Sequence, residues 1–318
     1  MDALHTFLLG PLSDIASDPI FLTEVVIGGL MAGVMYSLVA LGFVLIFKAS
    51  GVFNFAQGVM VLFSALTLVG FRELGIPMYL SLVLTIASMV VLAMGIERVV
   101  LRPLINQPDI ILFMATIGLT FFLEGFGQFI WGSNVKVLPV GELGIQDGRY
   151  TLHIGSGSIL IKKIDLTAAV VSALLVAFLA VFFQKTRVGL ALRAVADDHQ
   201  GAMSVGIALK NIWVVVWAVA GFVAIVAGIM WGAKSGVQFS LALIALKALP
   251  VLILGGFTSV PGAIIGGLII GVGEKIGEVY WGPAVGGAIE NWFAYVLALG
   301  FLLIRPQGLF GERIIERV

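Results

Sequence analysis

The chain has 318 residues, of which 60 % are hydrophobic and 11 % charged, with a mean hydropathy of +1.13; soluble domains run at about half apolar and about a quarter charged, so this composition belongs in a lipid bilayer and leaves no room for a large soluble catalytic domain. The 18 basic and 18 acidic residues cancel, so no global field favours nucleic acid, and His5, His153 and His199 are too scattered for a metal cluster. Without cysteine, disulfides, thiol catalysis and thiolate metal sites are excluded.

In chain order, no basic residue precedes Lys48, so the N-terminus lacks the positive region of a cleaved leader; the first apolar run reads as a retained helix and the chain as beginning at Met1. A span needs about 20 residues, and apolar runs bounded by charge, proline and glycine predict an all-α polytopic membrane protein of about eight to ten spans. We place nine, at 21–47, 52–70, 78–96, 110–131, 166–184, 211–232, 241–256, 260–279 and 288–304. The first is long enough to tilt, and the seventh is short enough to be a half-helix or re-entrant segment. An outside N-terminus gathers Lys48, Arg98, Arg102, Lys185, Arg187, Arg193, Lys210, Arg305, Arg313 and Arg317 on the inner face, against Arg72, Lys136, Arg149, Lys162, Lys163 and Lys234 outside. That excess predicts an N-out, C-in topology, with Lys247 and Lys275 left within or beside spans.

Two polar, glycine-punctuated stretches interrupt the apolar pattern, Ser50–Gly58 and Gly255–Gly262. Unwound backbone at membrane depth is tolerated where it lines a cavity or is buried in protein, so Asn54, Gln57, Thr258 and Ser259 are candidates for the edge of a translocation path; two ordinary inner-side turns are the alternative. The outer loop 132–165 carries two β-prone runs, Tyr150–Ile154 and Ile159–Ile164, around Gly-Ser-Gly-Ser, which predicts a small extracytoplasmic hairpin. In the inner segment 185–210, Leu190, Leu192, Ala194, Val195, Ala202, Met203 and Val205 interleave with Arg193, Asp197, Asp198 and His199 at helical spacing. That pattern predicts one or two short amphipathic helices at the membrane surface, the largest cytoplasmic feature available for gripping a partner.

Ionisable residues inside spans are expensive and default to functional hypotheses. Glu124 falls in the body of the fourth span, Lys247 in the short seventh, and Glu274 with Lys275 near the outer end of the eighth. Lys247 can attract a substrate carboxylate, pair with Glu124 or Glu274, or snorkel to the interface. Gly29 and Gly33, Gly262 and Gly266, and Gly267 and Gly271 stand four apart, so each pair shares one helix face and lets backbones approach, within the chain or across a subunit interface. No nucleotide site is present in the sequence: Ala233 separates glycine from lysine in the nearest approach to a P-loop, 228–235, and 271–277 misses the dinucleotide spacing by one. If ATP is used, another chain hydrolyses it.

With these residues in hand, the chain resembles the inner-membrane permease subunits of branched-chain amino-acid ABC transporters, of the leucine/isoleucine/valine type. The likeness covers nearly the whole sequence and rests on Gly51–Gly58, Glu97–Leu104, Thr116–Thr120, Thr186–Ala194 with Gly206-Ile207, and Leu254–Gly267. The resemblance implies a single permease domain over 1–318, and implies that Gly189, Arg193, Ala194, Asp198, Ala202 and Gly206 belong to a coupling region that docks on an ATP-binding subunit. It also implies the partners: a second related permease subunit, two ATP-binding subunits, a soluble periplasmic binding protein, an amino-acid substrate and the lipid bilayer of the inner membrane. No cofactor, metal or nucleic acid is expected. Related permeases carry urea, short amides or other amino acids, and a self-contained secondary transporter or channel is the rival of another class. The few intramembrane charges are thin material for ion coupling, and no cluster of His, Asp, Glu or Ser at one depth suggests a membrane-embedded enzyme.

Overall fold

Asp18 opens the longest helix of the molecule. Its Oδ1 accepts the Phe21 N–H at 2.9 Å, Pro19 occupies the first turn where its missing donor is harmless, and Gly51 (φ 72°) ends the helix by donating its N–H to Phe47 O at 2.8 Å. The computed structural model describes residues 10–51, 53–104, 107–145, 148–155, 157–197 and 199–311. In it α1 (Gly10–Ser17) precedes this helix, α2 (Pro19–Ser50), whose 32 residues extend about 48 Å at 1.5 Å per residue. Helices α3 (Gln57–Glu73), α4 (Met78–Gly95, continued by a π turn to Leu101), α5 (Asp109–Trp131) and α6 (Lys163–Lys185) follow, then α7 (Arg187–Asp197), α8 (His199–Ser204), α9 (Leu209–Ser235), α10 (Ile244–Gly255), α11 (Val260–Ile276), α12 (Gly282–Val285) and α13 (Ile289–Ile304).

Each of the nine expected apolar segments is helical over most of its described residues, and among the described residues six helices are long and apolar enough to cross a bilayer. The second span starts at Gln57 rather than 52, because the strip before it is unwound, and α3, α10 and α13 have only 17, 12 and 16 residues. Every residue of α3 from Gln57 to Gly70 is buried, against α2, α4, α5 and α9. A helix sheathed in protein need not match the thickness of the hydrocarbon layer.

Glycine decides how α11 packs. A Cβ on Gly33 would lie 2.6 Å from Gly267 O, and one on Gly271 would lie 2.4 Å from Gly33 N, so the Gly29/Gly33 face of α2 meets the Gly267/Gly271 face of α11 backbone to backbone. Gly262 and Gly266 meet Gly255 and Val251 of α10, and Gly273 meets the Phe293 ring of α13. Each pair read from the sequence is spent on intramolecular packing.

The described part of the 132–165 loop folds back on one end of the bundle. Strands β1 (Arg149–Ile154) and β2 (Gly157–Lys162) pair antiparallel, with Arg149 opposite Lys162 and Ile154 opposite Gly157. The second strand ends before the expected Ile164 because Lys163 and Ile164 begin α6. The Leu160 N–H reaches Glu24 Oε2 at 2.9 Å, Lys234 pairs with Asp165 at 3.0 Å, and Lys136 pairs with Glu73. Arg72 grips Glu142 with two 2.7 Å hydrogen bonds, and this guanidinium holds the Glu142 carboxyl below its ordinary range. Residues 24, 72–73 and 234 and the described residues of 136–165 therefore share one end. At the other, the Trp213 Nε1 donates to Ala49 O at 3.1 Å and the Leu309 N–H to Leu254 O at 2.8 Å, joining the ends of α2 and α10 to the start of α9 and the C-terminal segment.

Candidate functional site

Between α2 and α3 the chain leaves helical geometry within the protein interior. Asn54 closes a turn through its own side chain, Oδ1 accepting the Ala56 N–H at 3.0 Å. Thr116 of α5 pins the strip: its hydroxyl oxygen accepts the Phe55 N–H at 3.2 Å and donates to Phe113 O at 2.8 Å. Asn54 and Gln57 are both fully buried. Gln57 Nε2 donates to Ala220 O at 3.4 Å, while its Oε1 has no donor among the described residues. An orphaned buried acceptor costs about 1–3 kcal/mol, a cost that local structure does not recover. Gly42 of α2 supplies the space, since a Cβ there would lie 2.4 Å from Gln57 Nε2.

The unwound strip carries an aromatic cluster that faces a cavity. Phe43, Phe53, Phe55, Phe113 and Phe257 make successive ring contacts with centroids 4.7–6.3 Å apart. Phe43 and Phe55, with Thr120, Leu246 and Leu249, line a cavity of about 220 Å³ in which Glu124 is the one carboxylate among the described residues. Glu124 is half-buried. The sequence identified Glu124 and the polar pair at 54 and 57, but not the phenylalanines, which are indistinguishable from ordinary core residues until the fold brings them together.

Lys247 turns away from this cavity. Its Nζ donates to Glu290 O at 3.2 Å and lies 4.0 Å from Glu274 Oε2, which also accepts the Tyr36 hydroxyl at 2.9 Å. The Tyr36 ring stacks on Trp231 at 5.6 Å. Of the arrangements open to Lys247, the fold forms the pair with Glu274, whose side chain is only 4 % exposed. Glu274 Oε1 has no donor among the described residues, so the carboxylate depends on Lys247 and Tyr36 for compensation. Tyr36 is a residue the sequence reading missed; a hydroxyl in mid-span was its only signal.

At the opposite end, α7 is clamped to the end of α6. Arg193 Nη1 donates to Phe183 O at 2.7 Å and to Gln184 O at 3.3 Å, so the guanidinium caps carbonyls that the helix leaves unpaired. Gly189 makes the approach possible, since a Cβ there would lie 2.1 Å from Phe183 O. Ala202 is buried, Ala194 half-buried, and Gly206 (φ 88°) turns the chain after α8; Asp198 lies outside the described residues. Leu190, Met203 and Val205 remain 51–76 % exposed, an apolar outer face on the α7–α8 pair. Thr258 and Ser259 line a cleft of about 230 Å³ with Gly189 and Arg193, away from the Glu124 cavity. Ser259 also caps α11, its Oγ accepting the Gly262 N–H at 3.0 Å. The structure thus separates the eleven described candidates into an interior group (Asn54, Gln57, Glu124), an ion-paired residue (Lys247) and an end group of Thr258 and Ser259 with Gly189, Arg193, Ala194, Ala202 and Gly206.

Comparison with known proteins agrees with this architecture. The sequence model of a family described as branched-chain amino acid transport system / permease component matches residues 25–305. The chain is 29 % identical over 304 residues to the high-affinity branched-chain amino acid transport system permease protein BraD of Pseudomonas aeruginosa, covering 92 % of this chain and 96 % of that one. It is 26 % identical over 311 residues to the corresponding LivH protein of Escherichia coli K12, covering 94 % and 98 %. A probable LivH permease of Methanocaldococcus jannaschii is 28 % identical over 293 residues, covering 89 % and 91 %.

Proposed function

The chain belongs to the family of branched-chain amino acid transport permease components, and from that premise we propose that it is the membrane-spanning subunit of an ABC importer that carries branched-chain amino acids inward. It is a multi-pass inner-membrane protein and a transport component rather than an enzyme. ATP is hydrolysed on two separate ATP-binding subunits that grip the α7–α8 pair, a second related permease completes the path, and a periplasmic binding protein delivers substrate to the end that carries the hairpin. The N-terminus faces the periplasm and the C-terminus the cytoplasm, as the basic residues favour.

The observation that carries the path is the Glu124 cavity beside the unwound strip. A branched-chain amino acid is a zwitterion with a compact apolar tail. The phenylalanine and leucine lining suits the tail, and one half-buried carboxylate suits the ammonium group without holding the ligand tightly. Asn54 and Gln57 shape the strip behind this lining. At the other end, Arg193 and Gly189 lock α7 to α6, so a push on the exposed face of Leu190, Met203 and Val205 is transmitted to a spanning helix rather than absorbed in a loose loop.

The test is transport by the assembled complex in proteoliposomes, with leucine, isoleucine and valine competing against urea and acetamide. ATP-dependent leucine uptake that the other two amino acids inhibit, and the amides do not, is the expected result; selective urea or amide uptake overturns the substrate assignment. ATP-independent uptake by the purified chain alone overturns the ABC mechanism.

A further inference from the structure

Among the described residues, the cleft at the α7 end holds positive charge without a lining carboxylate. Lys48, in the last turn of α2, lines it half-buried, and among the described residues its ammonium has neither an ion-pair partner nor a hydrogen-bond acceptor. Arg193 also lines it, and its guanidinium is satisfied by carbonyl dipoles, which leave the formal charge in place. The remaining polar wall is the hydroxyls of Thr258 and Ser259 and the Gln184 amide; no described acidic residue lines the cleft. Two cations held in a recess of about 230 Å³ with hydroxyl donors are a complement to an oxyanion.

The cleft sits where spanning helices end, and its upper rim is apolar. Ala180 of α6 and Pro261 of α11 line it. One and two turns further into the membrane, Ala177 and Ala173 stand above Ala180, and Ile265 and Ile269 stand above Pro261, all of them exposed. Helices α6 and α11 both pack on α2 and touch each other only briefly, and on each the exposed small or apolar positions continue the row that begins at the cleft. A basic recess between spanning helices at the membrane surface, continued by exposed apolar positions on both helices, has the design of a site for an anionic lipid.

We propose that this cleft binds the phosphate group of an anionic phospholipid, with Lys48 and Arg193 as its cations, the Thr258 and Ser259 hydroxyls as donors, and an acyl chain lying between α6 and α11. In the N-out topology this is a lipid of the inner leaflet. Free phosphate offers the same oxyanion but has no use for the exposed apolar positions of α6 and α11.

The full-length protein, equilibrated with vesicles of equal phosphatidylglycerol and phosphatidylcholine and then examined by native mass spectrometry, reads the retained lipid directly. The wild type is expected to retain phosphatidylglycerol at least fivefold over phosphatidylcholine, Lys48→Gln to lose that enrichment, and Lys48→Arg and the exposed-surface control Arg305→Gln to keep it. Equal retention of the two lipids by the wild type, a result that needs no variant to fold, overturns the proposal; so does enrichment unchanged in Lys48→Gln. A second arm follows thermal unfolding in phosphatidylcholine nanodiscs as inorganic phosphate is added. A Lys48-dependent response to phosphate without phosphatidylglycerol enrichment identifies a free-anion site and likewise overturns the lipid assignment.

Discussion

Replacing Lys247 by methionine keeps most of the side-chain volume but strands the Glu274 carboxylate, whose side chain is 4 % exposed, with Tyr36 as its remaining donor. At the 4.0 Å separation of Nζ and Oε2, unit charges interact by about 4 kcal/mol at an effective dielectric of about 20. The pair is at the outer limit of an ion contact and the Lys247 side chain is 25 % exposed, which reduces the expected loss in Lys247→Met to about 2–3 kcal/mol. Glu274→Gln removes the buried charge and leaves Lys247 its bond to Glu290 O, so it should cost about 1 kcal/mol. The double variant should therefore be more stable than Lys247→Met alone, with a coupling of about 2 kcal/mol in a double-mutant cycle. Equilibrium unfolding of the four purified proteins in mixed micelles measures this. Additive effects, with a coupling under about 0.5 kcal/mol, would refute the idea that the two residues act as one unit.

Other outcomes follow from the same geometry. Glu124→Gln should lower leucine uptake at least tenfold while the complex still assembles, and unchanged uptake in proteoliposomes would remove Glu124 from the path. Arg193→Glu replaces a cap on α6 with a charge that its terminal carbonyls repel; substrate-stimulated ATP hydrolysis should fall several-fold with membrane insertion intact, and normal stimulation would show that the clamp does not couple. Asn54→Leu should destabilise by about 1 kcal/mol through loss of its turn, whereas Gln57→Leu, which removes an orphaned acceptor, should leave stability near that of the wild type and act on uptake; the reverse pattern in unfolding and transport assays would exchange their roles. Because Arg72 lowers the Glu142 pKa, their contact is complete at neutral pH and is lost as pH falls through that depressed value. Cleavage of the 132–148 loop by an acid protease should then rise only below the ordinary carboxylate range, and a rise at or above that range would argue against the contact.

Much of the architecture is legible because the bilayer imposes it locally. Continuous apolar runs had to become helices, since lipid offers no partner for backbone N–H and C=O groups, and each of the nine segments is helical over most of its described length. The β-prone runs around Gly-Ser-Gly-Ser marked the hairpin, glycines four apart marked close helix faces, and the amphipathic mixture at helical spacing in 185–210 marked the paired short helices, because each of these signals is written within a short stretch of chain. What only the tertiary structure decided depends on residues far apart in sequence. Tyr36 meets Glu274 across 238 residues, Thr116 holds a strip 61 residues before it, and Thr258 and Ser259 share a cleft with Arg193 rather than with Glu124. No local periodicity encodes such meetings; they follow from which helix lies beside which, and here that is set by the glycine contacts of α11 with α2 and α10, where a single added Cβ would force the backbones apart.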